Sequence, residues 1–233
     1  MSHNDLATQA STLGDRSHQK RELAAISVEM TVRSIMQSDI NGAQVHGHHH
    51  LGLGSNVLNQ NRSAAEIIYR RTDQIQKVIT FLLTNYFDSE QANYRKGGLI
   101  GLAGVMMALT TKRSTLTYEG ITFLNQVIPI IQKCLDDKDP NVRYYANETL
   151  YNVIKVARSH IILFFDLIFQ KIRLLCDDED DLVRESNKCV NRLLQDVVCN
   201  YDHFKLGPFV RVLTALIRDR STRVRILATR GPR

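Results

Sequence analysis

The side chains best equipped for chemistry are a histidine run, four cysteines and two acidic clusters. His46, His48, His49 and His50 carry imidazole nitrogens that bind transition metals. They crowd together in NGAQVHGHHHLGLGSN, without the separated ligands and ordered surroundings of a resident site, so no metal is expected. Cys134, Cys176, Cys189 and Cys199 form no CxxC pair. Cys134 and Cys176 sit in apolar runs, where a reduced thiol behaves as a small hydrophobe, which favours a reducing, cytoplasmic setting. The GLG at 52–54 is too short to cradle a phosphate and follows no strand. With no nucleophile–base pairing and no phosphate loop, the chain reads as non-catalytic, with no cofactor.

The charged clusters have another explanation. Net charge is +6, acids gather at Asp136–Asp139 and Asp177–Asp181, and seven Arg follow from Arg211 onward. No aromatics for base stacking are interleaved with those arginines, which argues against nucleic acid. Solvated turns and helix faces account for such runs. Trp is absent, and only 12 Gly and 4 Pro occur in 233 residues, which suits long helices joined by short turns. The N-terminus has no apolar signal core, and the most apolar run, Ile161–Phe169, is too short to span a bilayer.

The acids belong to a repeat. LDDKDPNVR (135–143), CDDEDDLVR (176–184) and IRDRSTRVR (217–225) superpose without a gap. Asp137, Asp178 and Asp219 recur every 41 residues, as do Val142, Val183 and Val224, and Arg143, Arg184 and Arg225. That period falls within the range of HEAT and armadillo units. FDSEQANYR (87–95) is a further copy at an offset of 48 from 135–143, and KRELAAISVEMTVR (20–33) reads as the second helix of a degenerate first repeat. Each unit is helix, tight turn, helix. Asp139, Asp180 and Ser221 are the expected caps, and Pro140 suits the first helical position, where its missing N–H costs nothing. The second helix then presents Val142, Ala146, Thr149, Leu150, Val153 and Ala157 on one apolar face, which only a stacked neighbour can bury. The expected fold is all-α, an α-solenoid of HEAT (armadillo-like) repeats with a period of about 41 residues. Asp137, Arg143, Asp178, Arg184, Asp219 and Arg225 are its structural ladder, expected to join adjacent repeats and fix their register.

Three segments depart from the period. Residues 1–36 are expected to form the degenerate first repeat with a flexible N-terminus, 37–63 a flexible Gly/His-rich insertion, and 64–233 the repeat array. In RKGGLIGLAGVMMAL (95–109), Gly98, Gly101 and Gly104 leave one side of a helix nearly bare. That stripe serves either close helix packing or a groove for a partner segment. The last helix stops at Gly231-Pro232 about nine residues after Thr222, so the last repeat is expected to be incomplete and the chain a truncated or alternative form of a longer one.

RKGGLIGLA (95–103) and RYYANETLYNVIKVAR (143–158) closely resemble repeats of a family of vacuole-morphology scaffolds, Vac-fourteen. The resemblance is good over 67–184 and weaker over 185–217. It implies a non-catalytic scaffold that assembles a PIKfyve-type phosphatidylinositol 3-phosphate 5-kinase with a Sac-domain 5-phosphatase, regulating phosphatidylinositol 3,5-bisphosphate synthesis. It further implies a cytoplasmic protein, peripheral on endosomal or vacuolar membranes through its partners. Self-association and phosphatase binding belong in the family to a C-terminal part beyond this sequence. Kinase engagement is the role that carries over. Arg95, Lys96, Gly97, Gly98, Tyr144, Tyr145, Tyr151, Lys155 and Arg158 match the family's motifs. With Gly101 from the bare stripe, they are the candidate protein-interaction residues, expected to make one surface across 95–158. A generic HEAT adaptor, such as a transport receptor or phosphatase regulator, shares the 41-residue ladder but leaves RKGGLIGLA unexplained.

Overall fold

The structure is a computed structural model that describes residues 7, 8, 10–45, 56–113, 115–200, 214 and 218, with side chains described outside 38–45 and 56–64. Among the described residues, seven α-helices and one 3-10 helix are the principal elements, and the chain divides into two compact units, Met1–Leu109 and Thr110–Arg233. The fold class is the expected one: all-α, built of helical repeats.

The first unit holds α1 (His18–Val45), α2 (Asn56–Tyr86) and α3 (Ala92–Ala108). Its main packing is α1 against α3, with α2 on α3. Val28 and Val32 of α1, Ile75, Ile79 and Leu82 of α2, and Leu99, Leu102 and Met106 of α3 are fully enclosed. Leu13, in the turn before α1, joins them. On the flanks of the Gly/His-rich segment, where a flexible insertion is expected over 37–63, α1 continues to Val45 and α2 begins at Asn56. A helix nucleated on a packed half extends at little cost per residue, even where apolar periodicity ends. Residues 46–55, with the histidine run, lie outside the described residues.

The second unit holds α4 (Tyr118–Leu135), α5 (Pro140–Ala157), a 3-10 helix (Arg158–Phe164), α6 (Phe165–Leu175) and α7 (Asp181–Cys199). Two helical hairpins, α4–α5 and α6–α7, pack chiefly through their second helices. The expected face of α5 is buried in full: Val142, Ala146, Thr149, Leu150, Val153 and Ala157. The caps form as the sequence indicates. Asp139 accepts from the Asn141 N–H at 2.8 Å with Pro140 at the first helical position, and Asp180 accepts from Leu182 and Val183 at 2.9 and 3.1 Å. Ser221, Asp219, Val224 and Arg225 lie outside the described residues.

Val183 is fully enclosed between the hairpins. Val183→Asp therefore places a carboxylate in a fully enclosed apolar position, and a loss of about 3 kcal/mol or more is expected. A thermal midpoint equal to that of the wild type would show that α7 does not pack through this face.

One turn geometry recurs in four places. In each, a side-chain oxygen accepts the N–H two residues on, and an Arg six residues on reaches back to the same residue's carbonyl. Asp137 accepts from the Asp139 N–H at 2.9 Å, and Arg143 Nη1 donates to the Asp137 and Lys138 carbonyls at 2.8 and 3.4 Å. Asp178 and Arg184 repeat this, with Asp178 accepting from the Asp180 N–H at 2.9 Å and Arg184 donating to the Asp178 carbonyl. In the first unit, Ser89 takes the acid's place, and Arg95 donates to the Ser89 and Glu90 carbonyls at 2.7 and 3.0 Å. The fourth copy is Asp15 with Arg21, whose Nη1 reaches the Asp15 and Arg16 carbonyls at 2.8 and 2.9 Å. The first repeat thus has its turn at 15–21, ahead of the 20–33 helix.

Candidate protein-binding face

The bare glycine stripe is an interior surface. Gly97, Gly98 and Gly101 are buried, as is Arg95, held by its own turn. A Cβ on Gly97 would overlap the Leu13 carbonyl oxygen. On Gly98 it would lie 2.7 Å from Tyr86 Cβ, and on Gly101 3.2 Å from Leu13 Cδ1 and 3.3 Å from Leu82 Cδ2. Gly104 faces the Ala25 carbonyl of α1, 3.1 Å from where a Cβ would stand. These glycines let the chain pack on itself, so of the two readings of the stripe the geometry is that of close packing rather than a groove: the surface is already occupied by Leu13, Leu82, Tyr86 and Phe87. Tyr86 anchors the same region, its hydroxyl donating to the Ala10 carbonyl at 2.7 Å and its ring stacked on Tyr94. Burial pushes the Tyr86 hydroxyl up to about 12.

Two of the ladder positions, Arg143 and Asp178, meet across the two hairpins. Arg143 Nε and Nη2 donate to both oxygens of Asp178, at 2.8 and 2.7 Å, from α5 to the turn of the following hairpin. The Asp178 side chain is 6% exposed and the Arg143 side chain 15%, so this pair is screened far less than a surface ion pair. Burial alone raises the carboxyl. The bidentate bond from Arg143, the Asp180 N–H and the charges of Arg143 and Arg184 together outweigh it, and Asp178 titrates below its usual range. Arg143 titrates above its own, chiefly through that same bond. Asn147 extends the seam, donating to the Val183 carbonyl at 3.3 Å and Ser186 Oγ at 3.0 Å.

Of the candidates from α5 and its end, Tyr151, Lys155 and Arg158 are exposed and Tyr144 and Tyr145 are half-buried. Tyr144 and Tyr145 make an edge-to-face pair with ring centres 5.6 Å apart in the first turns. The Tyr144 hydroxyl donates to Glu148 at 2.6 Å, and that acceptor, with partial burial, pushes it up to about 12. Tyr151 is 36% exposed, two turns on. Tyr144, Glu148 and Tyr151 follow one another at helical spacing, and Glu185, Cys189 and Arg192 do so on the neighbouring α7. Cys189 lies near enough to Tyr144 to influence its titration, which joins the two rows in one face. Lys155 and Arg158 are exposed but stand eleven and fourteen residues beyond Tyr144, roughly 16–21 Å along the axis. They belong to the opposite end of the helix. Lys96 is half-buried on α3 in the first unit. The expected single surface therefore resolves into buried packing residues, a tyrosine face and a basic helix end.

Among the described residues no group of three His, Cys, Asp or Glu could hold a metal, and no helix is long and apolar enough to cross a membrane. Cys134 and Cys176 are buried and Cys189 and Cys199 exposed, all as free thiols.

Residues 93–196 match the family described as the Vacuolar 14 Fab1-binding region. A curated relative, Protein VAC14 homolog of Arabidopsis thaliana, is 34% identical over 201 residues, 86% of this chain. The chain belongs to the Vac14 family. The Protein VAC14 homolog of Schizosaccharomyces pombe is 30% identical over 70% of the chain, and Vacuole morphology and inheritance protein 14 of Saccharomyces cerevisiae 32% over 54%. The chain spans only 22%, 20% and 14% of the length of these Vac14 relatives. Among solved structures, a designed armadillo repeat protein is 15% identical, with a TM-score of 0.45 over 97% of this chain and 79% of its own. The matched Fab1-binding segment takes in most of α3 and the whole of α4, α5 and α6, and ends within α7, so the tyrosine face lies inside it.

Proposed function

We propose that this chain is a non-catalytic scaffold that binds a Fab1/PIKfyve-type phosphatidylinositol 3-phosphate 5-kinase through the outer face of α5 and α7. The match of residues 93–196 to a Fab1-binding region carries this reading. Within that segment, the Tyr144–Tyr145 pair, Tyr151 and Arg192 are accessible side chains of the types that dominate protein interfaces. In a Vac14-type complex the scaffold would hold the kinase together with a Sac-type phosphatase on endosomal or vacuolar membranes, and so regulate phosphatidylinositol 3,5-bisphosphate. Self-association and phosphatase binding are assigned to portions of the family's chain that this sequence does not span.

Tyr144→Ala with Tyr151→Ala tests the face, because both side chains reach solvent and neither supports the core. Two interface tyrosines at about 2 kcal/mol each predict a loss of kinase affinity of roughly two to three orders of magnitude. Helicity and melting should be unchanged. Kinase recovered at wild-type levels by the folded variant would place the binding face elsewhere. Gly101→Leu cannot serve this purpose, since it would disturb the packing of Leu13 and Leu82 rather than a surface.

A further inference from the structure

Among its described residues up to 200, the second unit is electrically polar along its helix axes. At one edge, the turns inside each hairpin carry Asp136, Asp137, Asp139, Asp177, Asp178, Glu179, Asp180 and Asp181. Three of these acids are held in ion pairs, Asp178 with Arg143, Asp136 with Lys171 and Asp181 with Arg184, and the edge stays acidic. The opposite edge is built from the start of α4, the end of α5 and the 3-10 helix. α4 and α5 are antiparallel neighbours of 18 residues each, so the N-terminus of one and the C-terminus of the other come level. A tight hairpin precedes α4, with Thr110 bridged to Leu116 and the Thr111 N–H bonded to the Thr115 carbonyl at 2.7 Å. The Leu116 N–H then donates to the Val156 carbonyl at 3.2 Å, tying this hairpin to the last turn of α5.

That tie brings Lys112 and Arg113, exposed near the hairpin tip, to the edge that carries Lys155 and Arg158. All four are exposed, and none forms an ion pair with a described residue. Two large apolar side chains protrude beside them: Tyr118 is 73% exposed and Leu163, in the 3-10 helix, 83%. Asp166 and Glu148 are the exposed acids nearest this edge in sequence, and Asp196 is exposed in the last turn of α7. Asp166 stands in the first turn of α6, three residues after Leu163, so this edge carries an exposed acid as well, which the four cations at the hairpin tip and the end of α5 outnumber.

We infer that this edge is a direct contact surface for an anionic membrane, independent of the kinase. Unpaired lysines and arginines are attracted by anionic headgroups, and each contributes through the surface potential. A leucine and a tyrosine that protrude, rather than line a recess, suit the boundary between headgroups and acyl chains. The acidic opposite edge would be repelled, so the unit would stand with its helices across the membrane plane. An acidic protein segment satisfies the cations but leaves Leu163 and Tyr118 without a role, so the lipid surface is the better fit.

Sedimentation of the full chain with vesicles tests this, using mixed phosphatidylserine–phosphatidylcholine against phosphatidylcholine alone. Binding is expected only with the anionic vesicles and should fall as salt rises. Lys155→Glu with Arg158→Glu should lower partitioning by about tenfold or more, and Leu163→Ser should lower it with the charge unchanged. Lys133→Glu with Lys138→Glu makes the same change of net charge at the acidic edge and should have a much smaller effect. Circular dichroism establishes that each variant is folded. Equal losses from the two double variants would reduce the effect to net charge and overturn the assignment. So would absence of vesicle binding, including the case where the chain binds polyglutamate through this edge.

Discussion

Gly97→Ala is expected to destabilise the first unit by about 3 kcal/mol or more, enough to unfold a marginal repeat. In an exposed helix the same change would stabilise by up to about 1 kcal/mol, because alanine restricts the unfolded chain and favours the helix. Here the added methyl would overlap the Leu13 carbonyl oxygen, a backbone atom that cannot swing aside as a side chain can. Leu13 is fully buried, and the nearby Ala10 carbonyl is held by the Tyr86 hydroxyl, so relief would require displacing the whole turn before α1. Gly101→Ala is the matched control. Its Cβ would meet only the ends of Leu13 and Leu82, at 3.2 and 3.3 Å, and the change should lie within about 1 kcal/mol of neutral. Urea unfolding followed by circular dichroism separates the two. A Gly97→Ala variant as stable as Gly101→Ala would show that the 10–14 turn does not pack on α3.

The second large effect belongs to the ladder. Arg143→Ala leaves Asp178 buried with its principal cation gone, and a loss of about 3–5 kcal/mol is expected. Arg143→Lys should rescue little of it. The guanidinium uses Nε and Nη2 on the carboxylate and Nη1 on the Asp137 and Lys138 carbonyls, a fork that one ammonium cannot reproduce. The pair also leaves a signature in pH. Asp178 titrates below its ordinary value of 3.8 in the folded chain, so its contribution is fully present above that value. It is lost as pH falls below 3.8 and through the folded value. Wild type should therefore lose stability steeply in that acidic window, and Arg143→Ala less steeply, since its Asp178 is no longer held down by the guanidinium. Parallel acid unfolding curves for the two proteins would refute the coupling.

Much of this molecule is legible in one dimension because its contacts repeat in one dimension. The 41-residue recurrence of Asp137 and Asp178, and of Arg143 and Arg184, announces both the turn and the ladder. A stacked array places equivalent residues beside each other, so period alone predicts the neighbour. Asp15, Ser17 and Arg21 have the spacing of Asp137, Asp139 and Arg143 and could have been found the same way. The apolar periodicity of 20–33 marks the helix that follows and carries no signal for that turn.

What the residues alone determined, then, is the helical repeat class, the caps at Asp139 and Asp180, the buried face of α5 and the register of its Arg–Asp bridge. Each depends on local geometry or on the repeat period. Tertiary structure alone decided which way the glycine stripe faces, because its filling atoms come from Leu13, more than eighty residues earlier, and no periodicity links the two. It also decided that the hairpin carrying Lys112 and Arg113 joins the end of α5 that carries Lys155 and Arg158. Sequence proximity cannot supply these placements, since they arise where the chain reverses and one backbone hydrogen bond, Leu116 to Val156, ties two segments forty residues apart.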